Sequence, residues 1–149
     1  MRAKDVYPYW NLARRDLVEA LGRLTDEQLD FTPGEGLRTI GDVARHIIDA
    51  EAGWVDLVVL GKKDEPWPEY PMERCPTVKS ILDEMERVHA VTERLLEEHD
   101  VEWLNETRES WEQTFSLRWV FWHVLDHEIH HRGEIFLMMG LLGVEVPDI

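Results

Sequence analysis

The sequence predicts an all-α protein with four helices, and three observations carry that prediction. Apolar residues recur at three- and four-residue steps through four separate stretches. Three of these stretches open on Thr39, Thr77 or Ser116, residue types that close a helix N-terminus by accepting a backbone N–H. Between the stretches lie breaks at Pro33-Gly34-Glu-Gly36 and over 61–76, and no segment shows a convincing period-two strand pattern. With 149 residues, an apolar fraction of 44% and seven tryptophans, the chain is expected to fold as a single domain, 1–149, around one core.

The first helix is marked by Tyr7, Trp10, Leu17, Leu21 and Leu24, with Arg14, Arg15, Asp16 and Glu19 mostly between them. Thr25-Asp-Glu-Gln28 has capping-box spacing and predicts a short turn of helix. The second helix runs from its Thr39 cap to Leu60, with Gly61 as its stop. Its apolar face is Ile40, Val43, Ile47, Ala50, Trp54, Leu57 and Val58, and His46 lies roughly 80° from the centre of that face. The stretch holding Pro66, Pro68, Pro71 and Pro76 is an extended connector. It is long enough to cross the whole molecule, so the second and third helices need not be antiparallel neighbours.

Thr77 caps the third helix, whose apolar side is Val78, Ile81, Leu82, Met85, Val88, Leu95 and Leu96; His89 and His99 on this helix read as structural. Residues 100–115 are acidic and aperiodic and read as a loop with a helical turn. The fourth helix runs from Ser116 to Leu142 along a stripe of Leu117, Val120, Val124, Ile135, Met138 and Leu142. Phe121, Trp122 and Leu125 fall on its other side, and a helix apolar on two sides needs a second partner. The expectation is a homodimer through that surface, the alternative being that the loop from 100 to 115 folds over it.

Composition excludes several classes. A net charge of -15 without a basic cluster opposes nucleic-acid and acidic-membrane partners. Cys75 has no partner for a disulfide and no thiolate-activating neighbourhood. Neither a secretory signal pattern nor a membrane-spanning run is present, so a cytoplasmic location is expected.

The chemistry concentrates in the fourth helix, where His123, His127, His130 and His131 hold four of the seven histidines within nine positions. On a helical wheel His131 sits near the centre of the apolar stripe and His127 roughly 40° to one side, while His123 and His130 lie farther out. His127 and His131, one turn apart, therefore rank as the pair that presents two imidazoles to one metal ion. As text, His127-Glu128-Ile-His-His131 also matches the H-E-x-x-H zinc-protease pattern. Glu128, however, points roughly 60° or more away from the two histidines, and no sheet edge for a peptide is predicted.

The arrangement Leu24-Thr-Asp-Glu-Gln-Leu29, Gly36-Leu-Arg-Thr-Ile40, Ala44-Arg-His46 through Glu51, and His127-Glu-Ile-His-His131-Arg-Gly133 resembles the DinB/YfiT-like superfamily along nearly the whole chain. That resemblance implies a four-helix bundle with a long crossover between helices two and three, commonly dimeric. It also implies a divalent-metal site made by three histidines, matching His46, His127 and His131. Three imidazoles leave a tetrahedral zinc one open position, and nickel suits the same ligands. Glu51 and Glu134 are the candidates to hold the second nitrogens of the ligand rings.

The resemblance further implies a metal-dependent enzyme. Its form would be an S-transferase that takes a low-molecular-weight thiol to a small electrophile. A non-catalytic, stress-associated metal-binding protein and a metal-dependent hydrolase are the alternatives.

Overall fold

The computed structural model describes residues 1–149 and contains the four helices: α1 (Trp10–Leu21), α2 (Ile40–Gly53), α3 (Val78–Glu98) and α4 (Leu117–Leu141). The caps form as the sequence predicts. Thr39 Oγ1 accepts from Asp42 N at 3.1 Å, Thr77 Oγ1 from Ser80 N at 3.1 Å, and Ser116 Oγ from Trp119 N at 3.2 Å. Thr25 and Gln28 close the smaller box ahead of a 3₁₀ turn at Glu27–Asp30. Helix α2 passes directly into a π-helical turn at Trp54–Val59, which ends one residue short of the expected Leu60, and Gly61, at φ +72°, follows as the expected stop.

The four helices form a ring in which α1 and α2 each pack on both α3 and α4. The C-terminal half of α1, the start of α2, the start of α3 and the end of α4 share one apolar cluster, including Leu17, Ile40, Ile47, Ile81, Met85, Ile135 and Met139. A second cluster at the other end holds Trp10, Val55, Val58, Leu95, Leu117, Phe121 and Val124. Helices α2 and α3 thus begin at the same end and run parallel, so the chain between them must return along the whole bundle. It is the long crossover. Tyr70, buried under the Arg74 guanidinium and hydrogen-bonded by Arg87, pins it at one point. Trp67 pins it at another, lying so closely on Gly53 of α2 that a Cβ there would collide with the indole. Cys75 is buried, and burial raises its thiol pKa, consistent with an inert residue.

Two expectations change. Residues 107–116, read as loop, form a hairpin of β1 (Thr107–Ser110) and β2 (Gln113–Ser116). Its two-residue turn sets Trp111 and Glu112 at φ 49° and 60°, a conformation usually given to Asn-Gly, which explains why the sequence hides it. Phe121 is not on an open second face. It is fully buried against Tyr7, Trp10 and Trp103, so the segment before the hairpin covers part of what was expected to be an interface. Trp122 stays 52% exposed and Leu125 is half-buried. No helix is long and apolar enough to cross a membrane.

Between the apolar clusters lies a buried polar layer. Arg14 of α1 donates to Glu51 of α2 at 2.6 Å and, through Nε and Nη2, to both oxygens of Glu128 on α4 at 2.7 and 2.8 Å. Trp10 Nε1 donates to Glu128, while Thr92 and His89 of α3 bond Glu51 at 2.7 and 2.8 Å. Every buried side-chain nitrogen and oxygen in the chain has a partner.

Candidate metal centre

Helices α2 and α4 bring His46, His127 and His131 together on the flank of the bundle. Ligand atoms of the three lie within 4.8 Å of one another. The Nε2 atoms of His46 and His127 are 3.0 Å apart, and the His131 ring centroid is 5.0 Å from that of His46 and 4.3 Å from that of His127. The pairing on α4 follows from helical geometry, because residues four apart stack on one face. His46 joins them because α2 runs antiparallel to α4 and packs closely on it.

Outer hydrogen bonds settle which nitrogens face inward. His46 Nδ1 lies 3.3 Å from Asp49 Oδ2, and Asp49 in turn accepts from Trp67 Nε1 at 3.3 Å. His131 Nδ1 lies 2.7 Å from Glu134 Oε2. With Nδ1 donating to a carboxylate in both rings, Nε2 is left as the lone-pair donor toward the cluster. Glu134 thus takes the role expected of it, but Glu51 does not, since it is held in the buried layer by Arg14, His89 and Thr92. Asp49 replaces it. The same three-residue step separates His46 from Asp49 and His131 from Glu134, a sequence signal that would have found both.

The electrostatics favour the neutral form of the two rings on α4. Burial, reinforced by the surrounding imidazoles of His131, His46, His123 and His130, pushes His127 down to about 3. Burial also lowers His131, outweighing the opposing pull of Glu134. Neutral imidazole is the form that binds metal. Bonds of about 2.0–2.1 Å in tetrahedral geometry put ligand nitrogens roughly 3.3 Å apart, close to the 3.0 Å separation of His46 and His127. The donor set therefore fits a divalent ion such as zinc or nickel.

The other histidines do different things. His123 stacks on Trp119 at 4.8 Å and meets Trp54 edge-on at 4.9 Å. It starts an aromatic wall that continues through Phe115, Trp111 and Trp67 beside the triad. His130 is exposed and lies 3.3 Å from Glu134. His89 belongs to the buried layer, and His99 stacks on Trp103.

As the helical wheel predicts, the glutamate of the H-E-x-x-H pattern turns away from the histidines. Glu128 is 1% exposed and committed to Arg14 and Trp10 on the opposite side of α4 from His127. It cannot reach a water on the triad.

The fold agrees with that of known proteins. A DinB-like protein from Bacillus cereus ATCC 10987 superposes with a TM-score of 0.77 at 25% identity, covering 96% of this chain and 94% of that one. A DinB-like protein from Bacillus subtilis superposes with a TM-score of 0.71 at 16% identity, covering 91% and 90%, a likeness of fold. No curated protein matches the chain. The profile of the DinB family matches residues 1–149, and the chain belongs to that family.

Proposed function

We propose that this protein binds a divalent metal ion, zinc or nickel, through His46, His127 and His131 and uses it in an enzymatic reaction on a small molecule. The observation that carries the reading is the convergence of three imidazoles within 4.8 Å, two of them oriented by carboxylates. Three protein ligands leave a tetrahedral ion one position open, the mark of a catalytic rather than a closed structural site. When bound, such an ion supplies the Lewis acidity that makes a thiol a nucleophile at neutral pH.

The reaction class we favour is S-transfer from a low-molecular-weight thiol to a small electrophile. Hydrolysis fares worse on the geometry, because the carboxylates near the triad are engaged. Asp49 and Glu134 hold the ligand rings, and Glu128 faces the buried layer. The aromatic wall beside the triad supports a reactant with apolar or planar character. Metal content by elemental analysis, combined with thiol-consumption assays across a panel of electrophiles, tests the proposal. Metal-dependent consumption of thiol supports it. A fully loaded site with no turnover of any thiol, together with a large loss of thermal stability on chelation, supports a non-catalytic metal-binding role instead.

We further propose a homodimer through the face carrying Tyr9, Trp122 and Leu125, which line a cavity of about 530 Å³ between the segment preceding α1 and the N-terminal part of α4. A monomeric mass at micromolar concentration would refute it.

A further inference from the structure

Beside the triad, at the end of the bundle where α2 begins, lies a cavity of about 400 Å³ lined by Pro33, Leu37, Arg38, Val43, Glu134 and Met138 among others. None of the three histidines lines it, but Glu134 belongs to both the cavity wall and the surroundings of the candidate metal centre. Val43 precedes His46 by one helical turn on α2, and Glu134, which shares the cavity wall, is hydrogen-bonded to His131 on α4. A step of three residues along either helix is about 4.5 Å, so a molecule of a few bonds' length spans from the cavity to the histidines.

The cavity combines an apolar wall with one unspent cation. Arg14, Arg45 and Arg132 each pair closely with a carboxylate, whereas Arg38 makes no hydrogen bond and no close ion pair, and meets Glu134 only at longer range, where its charge helps to lower that carboxyl. The only acid lining the cavity, Glu134, is already shared by His131 at 2.7 Å and His130 at 3.3 Å. Leu37 and Leu137 flank it at 61% and 67% exposure and add apolar surface to its rim.

The turn presenting Arg38 is held in shape before any ligand arrives. Ile40 N donates to Phe31 O at 3.0 Å across its base, and the Thr32 hydroxyl donates to Gly34 O at 2.8 Å. Gly36 supplies the positive φ, +78°, that turns Leu37 and Arg38 over α4. Such preorganisation reduces the ordering cost of binding.

We propose that this cavity is a subsite for the carboxylate end of a small amphipathic acid, with Arg38 pairing the carboxylate and Leu37, Val43 and Met138 lining its short apolar chain, so that its other end reaches the triad. The inference rests on the metal-centre reading for what happens at that other end, and on the cavity alone for binding. The carboxylate can belong to the thiol or to its electrophilic partner. Guanidinium is the suited anchor because its planar fork takes both carboxylate oxygens, which lysine cannot do.

The test measures binding of hexanoate, hexanol and their ω-mercapto derivatives to the full chain by calorimetry, metal-free and nickel-loaded, in wild type, Arg38→Gln and Arg38→Lys. The expected result is an acid-over-alcohol preference that falls about tenfold in Arg38→Gln, is partly restored in Arg38→Lys, and leaves the binding of both alcohols unchanged. If hexanoate shows the Arg38 dependence in metal-free protein, the subsite stands whether or not the triad takes up nickel. Dependence shown only by the mercapto acid in loaded protein assigns the carboxylate to the thiol. Equal binding of acid and alcohol, or acid binding indifferent to Arg38 in both states, overturns the proposal. Nickel uptake, followed separately in the same samples, tells that failure from a failure of the metal centre.

Discussion

Helices α2 and α4 each contribute to two polar clusters, and the clusters are opposites. In the buried layer, Glu51 and Glu128 meet Arg14 and His89, unlike groups that satisfy one another completely. On the flank, His46, His127 and His131 are like groups whose inward nitrogens have only each other. His127 and Glu128 are consecutive residues, yet the roughly 100° between neighbours on a helix sends one to the flank and the other to the core. A self-satisfied cluster is a structural part of a fold; a convergent set of imidazole nitrogens is the arrangement from which we propose a metal site.

The sharpest way to break that contrast is to truncate each of the two neighbours. Glu128→Ala strips Arg14 of its bidentate partner and leaves Trp10 Nε1 unpaired in the core. It should cost about 3–5 kcal/mol of unfolding free energy in urea, where breaking a buried ion pair leaves an uncompensated charge. His127→Ala, on a half-buried ring, should change the metal-free stability by less than about 1 kcal/mol and weaken nickel or zinc binding by more than about 100-fold. Similar stability losses in both variants would erase the distinction between core layer and site.

Acid should act on the layer in a defined window. Burial would raise the Glu51 carboxyl, but Arg14, His89 and Thr92 together hold it at about 2, below its ordinary 4.5. A depressed carboxylate contributes stability that is complete above the unfolded value and is lost as pH falls through the folded one. Unfolding free energy of the metal-free protein should therefore decline between pH 4.5 and about 2. In Glu51→Gln, itself less stable, that decline should be shallower. An unchanged slope would remove Glu51 from the account.

The sequence made the helices legible because their caps and apolar steps are local signals, and Thr39, Thr77 and Ser116 each close the helix they were expected to close. His127 and His131 were legible for the same reason. His46 was not, because its approach to α4 is a tertiary fact that its own helix does not encode, and only the family resemblance pointed to it. Glu51 was misassigned because the wheel shows that a residue faces inward but not which polar group waits there, and that group, Arg14, lies on another helix. Phe121 was misplaced for a related reason. The wheel put it opposite the stripe, but a wheel for one helix does not show that Trp103, from the aperiodic 100–115 segment, and Tyr7, from the chain just before α1, fold over it.

The smaller effects lie in the carboxylates behind the ligand rings, and they rank by how easily water replaces them. Asp49 has a side chain 24% exposed and is fixed by the Trp67 indole, whereas Glu134 is 44% exposed and open to solvent. Asp49→Asn should weaken metal binding toward the upper part of the roughly 10–100-fold range seen for such partners, and Glu134→Gln toward the lower part. Trp67→Phe keeps the ring over Gly53 and deletes only the N–H donated to Asp49 across 3.3 Å. A long hydrogen bond at the weak end of the usual ~0.5–1.5 kcal/mol predicts a change of only about two- to threefold in metal affinity. If Trp67→Phe instead matched Asp49→Asn, the crossover rather than the carboxylate would be what orients His46. The flank site would then depend on the chain that returns between α2 and α3, not on α2 and α4 alone.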